Sequence, residues 1–517
     1  NSIRVNVLET VADSSSNTFS LISSFYVNEQ DAEQISQKSY IIKYNSIGQF
    51  VSSYMISDTV GTSSLRLFVT NNNELVVLSK DFGSISTTLT KFTNNLEQVW
   101  SQNFSLNSMQ NEIIVIDNLN NIFMITAVDS QNNFESSLIN VIKFNSNGVQ
   151  EFSNLYIPTN SALNFSFATS ALFDGSNSIL IGGVSSDDFS SIFYPIVLNI
   201  SINGTQNYFN DYHLNDSFSS KIVELSINDN EIFMAVNGLN NQTFMHGNYI
   251  IKINNLGQLI WQIPNFMNDA ELFMDKFLLS SNLNKLYIVS SKVGSIANIH
   301  IDCWDLLGNF QGSYDIDSNN YYQDAFLDND SIYVLSQNQS SYNFPYRLLN
   351  WNGPFISSQI SKFSSDLVLN ETINFFGPEY SLFEPKQLIP LDNSNLLISG
   401  RLFHEELFFE GLKFFSIPYE PTLNIPEVPV SQKNIFYCFP NPSSHGHTNV
   451  YFSLEHPHNA KLSIFDLNGR LVDSFDMNDL QEERHLINYN TQNLKHGVYI
   501  LKLDSNDISL TTKLIIQ

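Results

Sequence analysis

Apolar and polar residues alternate through most of this chain, in short runs broken by asparagine, serine and glycine. The recurrent unit is a polar turn followed by an alternating apolar run. It reads NTFSLISS from Asn17, NNELVVLS from Asn72, NNIFMITA from Asn120 and NSILIGG from Asn177. It continues as NEIFMAV from Asn230, NKLYIVS from Asn284, DSIYVLS from Asp330 and SNLLISG from Ser394, eight copies in all. Such alternation predicts half-buried β-strands, and the asparagine-rich breaks predict turns.

A second pattern interleaves with the first: a strand, a tight turn, and a strand that often carries an aromatic residue. Its seven copies are IIKYNSIGQF ending at Phe50, LTKFTNNLEQVW at Trp100, VIKFNSNGVQEF at Phe152, VLNISINGTQNY at Tyr208, IIKINNLGQLIW at Trp261, IDCWDLLGNF at Phe310 and ISKFSSDLVL at Leu369. Gly48, Gly148, Gly204, Gly257 and Gly308 hold the turn in five of them. Glycine enters the left-handed region without a Cβ clash, as tight hairpins require. Leu96 and Leu367 stand at that place in the other two, which predicts turns of a different type or length.

Together the patterns give two hairpins, or four strands, every fifty residues or so. Four-stranded units at that period predict an all-β fold: a seven- or eight-bladed β-propeller over residues 1–417. Separate small sandwiches stacked in a row are the alternative. The eighth unit, with KQLIPL, NLLISG and LKFFSIP, lacks a last strand. It is either a short blade or one that closes the ring with the N-terminal RVNVLET.

Pro418, Pro421, Pro426 and Pro429 mark residues 418–435 as a proline-rich, semi-rigid linker. Beyond it the pattern changes. NVYFSLE, AKLSIFDL, RLVDSF, RHLINY, GVYILKLDS and SLTTKLIIQ predict a small C-terminal antiparallel β-sandwich over residues 436–517, with Asn468-Gly469 as a hairpin turn.

Composition narrows the functional classes. Charged residues make up only 15% of the 517, and the formal net charge is −27. So acidic a chain is repelled by phosphate backbones, which excludes nucleic acid as the expected partner. No run approaches the roughly 18 apolar residues of a membrane span. The start at Asn1 is expected to follow removal of a signal peptide. Two cysteines, Cys303 and Cys438, exclude a disulfide-rich scaffold and are expected to be inert thiols.

The C-terminal eighty residues resemble the type A C-terminal sorting domain of cargo exported by the type IX secretion system of Bacteroidota. The matching residues are Pro440-Asn441-Pro442, the Val450-Tyr451-Phe452 strand, and Ile464-Phe465-Asp466-Leu467-Asn468-Gly469-Arg470. Leu494, Gly497-Val498-Tyr499 and Lys513-Leu514-Ile515-Ile516 complete the set. The resemblance implies export through the periplasm to the cell surface or beyond. It implies recognition of residues 436–517 by the translocon and its outer-membrane barrel shuttle, and sortase cleavage with attachment to lipopolysaccharide. The terminal Leu514-Ile515-Ile516 run is either the last core strand or a segment that enters a barrel. The repeats, for their part, resemble bacterial β-propeller repeats with a KxxxxG strand, which implies a fold and no activity.

Candidate chemistry is sparse. His445, His447, His456 and His458 have HxH spacing but no accompanying acid or thiol, and read as turn residues. Asp315 and Asp317, and Asp324, Asp328 and Asp330, lack the spacing of a calcium loop. Trp100, Trp261, Trp304 and Trp351 recur with the repeat, so packing between units is favoured over sugar stacking. Asn203 and Asn370 begin glycosylation sequons, and Asp58-Thr59-Val60 and Asp330-Ser331-Ile332 resemble the Bacteroidota O-glycosylation pattern. No nucleophile elbow, metalloprotease helix or phosphate loop occurs. No catalytic, cofactor or metal residue is therefore expected. The expected role is non-enzymatic binding or adhesion at the surface, with a glycan or protein as ligand. Alternatives are a structural or accessory piece of a surface or translocon assembly, and a propeller hydrolase or lyase.

Overall fold

The computed structural model describes residues 2–27, 35–46, 49–57, 62–81, 86–105, 112–129, 136–160, 162–187, 193–214, 217–240, 242–267, 270–293, 298–316, 320–328, 330–338, 357–376, 381–391, 395–404, 409–418, 435–439, 447–453, 459–466, 469–478, 484–505 and 508–516. The chain divides into two compact units, Asn1–Tyr419 and Glu420–Gln517. Among the described residues every regular element is a strand, and no helix is long and apolar enough to cross a membrane.

The larger unit is a succession of antiparallel sheets, numbered one to eight in chain order. They span residues 2–57, 62–105, 113–156, 165–211, 217–265, 271–316, 320–376 and 381–418. The first seven have four strands each; the eighth has three, Ser381–Leu391, Asn395–His404 and Phe409–Pro418. The expectation of a last unit short of one strand is met among the described residues.

Burial follows position in the sheet. The second and third strands of sheet three, Ile122–Asp129 and Ser137–Phe144, are buried along nearly their whole length. Its fourth strand, Gln150–Tyr156, is half exposed. The inner strands bury both faces because each sheet packs against two neighbours. In sheet four, Ile179, Ile181, Ile196 and Leu198 join a core with Phe123, Ile139 and Val141 of sheet three. Leu180 and Val197, on the opposite face, join one with Ile232, Met234 and Tyr249 of sheet five. This is the period-two alternation of a strand put to use on both sides.

Successive sheets are also bonded through their first strands. Every first strand except that of sheet three carries a β-bulge, and in five cases the polar residue just after it accepts a backbone N–H of the next sheet. Glu9 accepts from Leu67 (2.7 Å), Ser170 from Leu225 (3.3 Å), Glu224 from Phe277 (3.1 Å) and Asp324 from Leu388 (2.9 Å). The fifth link runs from sheet eight back to sheet one: Gln387 Oε1 accepts from Thr10 N at 2.7 Å. A bulge twists the strand and re-aims one side chain, here out of its own ladder and towards the neighbour. Ala12 packs on Ile389, Leu391 and Leu397 of sheet eight, and Ile3 bridges Phe409 in parallel. The bridge repeats the relation of Ser137 to Phe165 between sheets three and four.

The third-to-fourth hairpin makes a second joint. Gly148 N donates to Asn145 O at 2.9 Å, with φ of 80°, and the register slips by one residue beside it. Leu96 and Leu367 do the same, with bonds of 3.0 Å to Thr93 and Ser364 and φ of 65° and 59°. The turns expected to differ in type or length are thus the same turn, entered by leucine. The reason lies in the preceding sheet. A Cβ on Gly148 would meet Trp100 Cδ2 at 2.6 Å, and one on Gly257 would meet Tyr208 Cδ2 at 2.7 Å. Trp100, Phe152, Tyr208 and Trp261 occupy one equivalent position of the fourth strand, opposite Lys91, Lys143, Asn199 and Lys252. At that position the sheets preceding Leu96 and Leu367 carry Ser52 and Gly312. A large ring faces a glycine turn; a small residue faces a leucine, which is 5% exposed at Leu96 and 6% at Leu367.

The recurrent lysine completes the joint. Lys43 Nζ donates to Asn94 O (2.9 Å), Lys91 to Ser146 O (3.2 Å) and Lys252 to Leu306 O (3.1 Å), each in the turn of the next sheet. Lys91 and Lys252 are also paired with Glu74 and Glu231, at 2.6 and 2.7 Å. Lys252 lies over the Phe233 ring, 5.2 Å from its centroid. A buried ammonium is stable only with such compensation. In sheet six Cys303 replaces the lysine, and Lys285 of the adjoining strand reaches Ser365 O instead, at 3.0 Å.

Candidate functional site

The C-terminal unit is two packed sheets. One orders its strands Leu471–Asn478, Asn459–Asp466, Gly497–Ser505 and Ile508–Ile516; the other Ile435–Phe439, His447–Ser453 and Arg484–Asn490. The core between them holds Val450, Phe452, Leu462, Ile464, Leu501 and Leu503, with Tyr499, Leu514 and Ile516. Alternation along the last two strands puts every second residue inside, as period-two patterning dictates.

The residues expected to carry sorting fall into three sets. Pro440, Asn441, Pro442 and Asn468 lie outside the described residues. Asp466 and Gly469 build the hairpin after the second motif: Gly469 N donates to Asp466 O (3.0 Å) and Arg470 N to Asp466 Oδ1 (3.0 Å), with Gly469 at φ 76°. Phe465, half-buried, begins the bulge of that hairpin. The third set is the terminal ladder. Gly497 pairs with Ile516, and Tyr499 with Leu514. The Tyr499 hydroxyl donates to Lys495 O at 3.0 Å. Leu514 and Ile516 are core residues of the last strand, whereas Lys513 is exposed and Ile515 half-buried on the other face.

Elsewhere the expected chemistry is dispersed. His445, His456, His458, Asp317, Trp351 and Asp58-Thr59-Val60 lie outside the described residues, as does the linker from Tyr419 to Asn434. His447 is the first residue of a strand. Cys303 and Cys438 are both free and buried, and burial pushes each thiol up to about 11. Trp100 and Trp261 belong to the sheet joints, and Trp304 is buried between sheets five and six. Among the described residues no group of three or more His, Cys, Asp or Glu could hold a metal ion.

Two charged groupings were not visible as motifs. The first lies on the first strands of sheets five to seven. Burial raises Asp324 and lifts Asp275 to about 6. Burial also raises Tyr322, helped by the charges of Asp324, Asp275 and Glu224. Glu224 is paired with Lys276 at 3.2 Å, and Asp275 accepts from the Ser291 hydroxyl at 2.6 Å. The second grouping surrounds His300, whose Nδ1 meets Asp315 at 2.6 Å and whose Nε2 meets Asp302 at 2.9 Å. Lys292 pairs with Asp315 at 3.0 Å, and Asn265 of sheet five donates to Asp302 at 2.6 Å. Burial alone would lower His300, but the hydrogen bonds and charges of Asp302 and Asp315 outweigh it and the imidazole is raised. No sequence spacing predicts this set, because its members meet across three strands and a neighbouring sheet. A shallow cleft bounded by Thr159, Asn160, Asp211, His213 and Leu259 opens beside sheets four and five.

None of the curated proteins compared with the chain is similar to it in sequence. Among solved structures, a prolyl endopeptidase is similar at 10% identity and a TM-score of 0.43, over 78% of this chain and 54% of that one. Prolyl oligopeptidase B from Galerina marginata is similar at 8% identity and a TM-score of 0.45, over 78% of this chain and 55% of that one. The chain thus spans about half the length of both peptidases. The β-propeller domain of the trilobed protease from Pyrococcus furiosus is similar at 8% identity and a TM-score of 0.39, over 64% of this chain and 89% of that one. Residues 437–517 match the family described as the secretion system C-terminal sorting domain. That domain is typical of type IX cargo in Bacteroidota, so the chain is exported by way of the periplasm to the cell surface, and its C-terminal unit engages the secretion machinery.

Proposed function

We propose that the protein is a surface-exposed binding or adhesion protein without enzymatic activity, whose body is a closed eight-bladed β-propeller carried outward by a type A sorting domain. The match over residues 437–517 is the observation that carries the export reading. Support for closure is the hydrogen bond from Thr10 to Gln387, which joins the last sheet to the first by the same device that joins the others. In this reading an N-terminal signal peptide is removed, the barrel shuttle receives the sorting domain, and a sortase attaches the cargo to lipopolysaccharide. The ligand is a glycan or another surface protein.

A propeller hydrolase or lyase is the second reading. It is favoured by Glu224, Asp275 and Asp324, whose charges act together on Tyr322. Against it, Glu224 and Asp324 already hold backbone N–H groups of the neighbouring sheet. Carboxylates used as joints are poor acid–base catalysts, because protonating them weakens the fold.

Deleting residues 437–517 tests the export reading. The truncated chain is expected to accumulate in the periplasm with its body folded. Its normal display on intact cells would sink the sorting role. For the body, turnover of a polysaccharide that is abolished by Asp275→Asn would replace binding with catalysis.

A further inference from the structure

We infer that Lys43 and Asn94 become joined in the folded protein by an intramolecular isopeptide bond, formed with Asp13 as the acid–base group. The bond is a covalent staple between sheets one and two. All three residues lie in the larger unit, so the staple stands or falls apart from the export reading.

The site begins as an ordinary joint. Lys43 Nζ donates to the main-chain oxygen of Asn94, as Lys91 does to that of Ser146 and Lys252 to that of Leu306. The side chain of the turn residue makes the difference. Serine and leucine have no side-chain carbonyl, whereas Asn94 carries a carboxamide. Its Oδ1 accepts from Lys43 Nζ at 2.5 Å. Its Nδ2 donates to Asp13 Oδ2 at 2.6 Å and to Asn73 O at 3.3 Å. An ammonium only donates and a carboxylate only accepts, so the two ends of the amide cannot be exchanged. The carboxamide is therefore held between an amine and a carboxylate, with the nitrogen that must leave on the carboxylate's side.

The surroundings favour condensation. Lys43 is 7% exposed and Asp13 6%, and Lys43 Nζ lies 5.5 Å from the centroid of the fully buried Phe19 ring. Lys91, Lys143 and Lys252 are each paired with a glutamate, at 2.6, 2.8 and 2.7 Å. Among the described residues no carboxylate comes within ion-pairing distance of Lys43 Nζ, which is met by an amide instead. A buried cation without a counter-ion is costly, and the bond removes it, because the charge departs with the ammonium ion. Asp13 is fixed by its own turn: Ser15 N and Asn17 N donate to Oδ1 at 2.9 and 2.8 Å, and Asn17 Nδ2 donates to Oδ2 at 2.9 Å. Three groups so held need little further ordering to react.

The two hydrogen bonds of the carboxamide form a proton relay. One proton passes from Nζ to Oδ1 and another from Nδ2 to Asp13 Oδ2, which leaves Lys43 as the free amine and nucleophile. Nζ then attacks Cγ, and the Nζ–Cγ bond forms. Asp13 returns its proton to Nδ2. The Oδ1 proton and one more from Nζ follow it as the carbonyl re-forms and the Cγ–Nδ2 bond breaks. Nδ2 leaves as the ammonium ion, Nζ keeps one hydrogen as an amide nitrogen, and Asp13 is again a carboxylate. Nothing is oxidised or reduced.

Mass spectrometry of the full purified chain tests this. The intact mass is expected to lie about 17 Da, one ammonia, below the value the sequence requires. Trypsin is expected to leave Lys43 uncut, in a branched peptide that fragmentation shows joined to Asn94. Lys43→Arg keeps the cation without the nucleophile, and Asp13→Asn keeps an acceptor for the turn without the proton carrier. Each is expected to restore the sequence mass. Lys91→Arg, at a joint whose turn residue is Ser146, is expected to retain the loss. If Lys43→Arg fails to fold, Asn94→Ala gives the same reading, since the half-buried turn residue keeps its main-chain oxygen for Lys43. A folded chain at the sequence mass, cut by trypsin after Lys43, overturns the inference. So does a loss of ammonia that survives Lys43→Arg, or one that fragmentation places at Asn147 or Asn203, where the following glycine favours a succinimide.

Discussion

The same hairpin is built in both units and does different work in each. Gly148 in the body and Gly469 in the C-terminal unit have φ of 80° and 76°, and each donates to the carbonyl three residues back, at 2.9 and 3.0 Å. A methyl group on Gly148 would run into the Trp100 indole of the preceding sheet. One on Gly469 meets nothing within 4 Å among the described residues. In the body the turn is half of a joint; in the sorting unit it is only a turn. A local signature therefore fixes the backbone path, and the neighbouring sheet decides how much energy depends on it.

The sharpest way to break this comparison is to transplant the leucine joint. Gly148→Leu alone is expected to cost about 3 kcal/mol or more, from left-handed strain on a residue with a Cβ and from overpacking against Trp100. Trp100→Ser alone leaves a cavity and costs about 3 kcal/mol. The two together copy the Ser52 and Leu96 arrangement, and their combined cost is expected to fall at least about 1 kcal/mol short of the sum. A double-mutant cycle in urea, followed by tryptophan fluorescence at Trp261 and Trp304, reads the coupling. Strict additivity would mean that ring and turn do not sense each other.

A second prediction sharpens the comparison at a different joint, between sheets five and six. His300 is held above its ordinary pKa by Asp302 and Asp315, despite its burial. The folded state therefore binds the proton more tightly than the unfolded chain. The stability this contributes is complete below about pH 6.5 and is lost as the pH rises through the folded value. The urea midpoint of the body is expected to fall as the pH rises above about 6.5, and His300→Gln is expected to flatten that fall. A profile that keeps its slope without the imidazole would assign the titration to another group.

How far the sequence reaches can be judged from these joints. The strand pattern, the turn glycines, the short eighth unit and the start of a new sandwich past the prolines were legible, because each depends on neighbours a few residues away. The lysine of KxxxxG was visible as a motif, yet its meaning was not. Lys91 and Lys252 act on carbonyls 55 and 54 residues ahead, in the next sheet. Leu96 and Leu367 looked like departures from the turn, and are the same turn with its volume moved across the joint from Ser52 and Gly312. That exchange is readable only once the fourth strand of one sheet is known to face the turn of the next. Glu9, Glu224, Asp324 and Gln387 follow bulges, which leave no fixed mark in a sequence. In the C-terminal unit the core alternation was legible, while the division into sheets of unequal strand number was not, since that is a property of two sheets taken together.

The smallest predicted effect is at Gly469, where the turn stands alone. Gly469→Ala keeps the hairpin and adds only the left-handed penalty, about 1 kcal/mol. Local opening should then become about fivefold more frequent, read as faster hydrogen exchange at the amides of Asp466 and Gly469, which close the turn. All four tryptophans precede residue 352, so their fluorescence reports on the body alone. The urea midpoint by that signal is expected to stay where it is, whereas Gly148→Ala, with the same backbone penalty plus the contact with Trp100, is expected to move it. If the two alanines cost the same, the body's turns are not joints at all, and the difference between the units reduces to chain geometry.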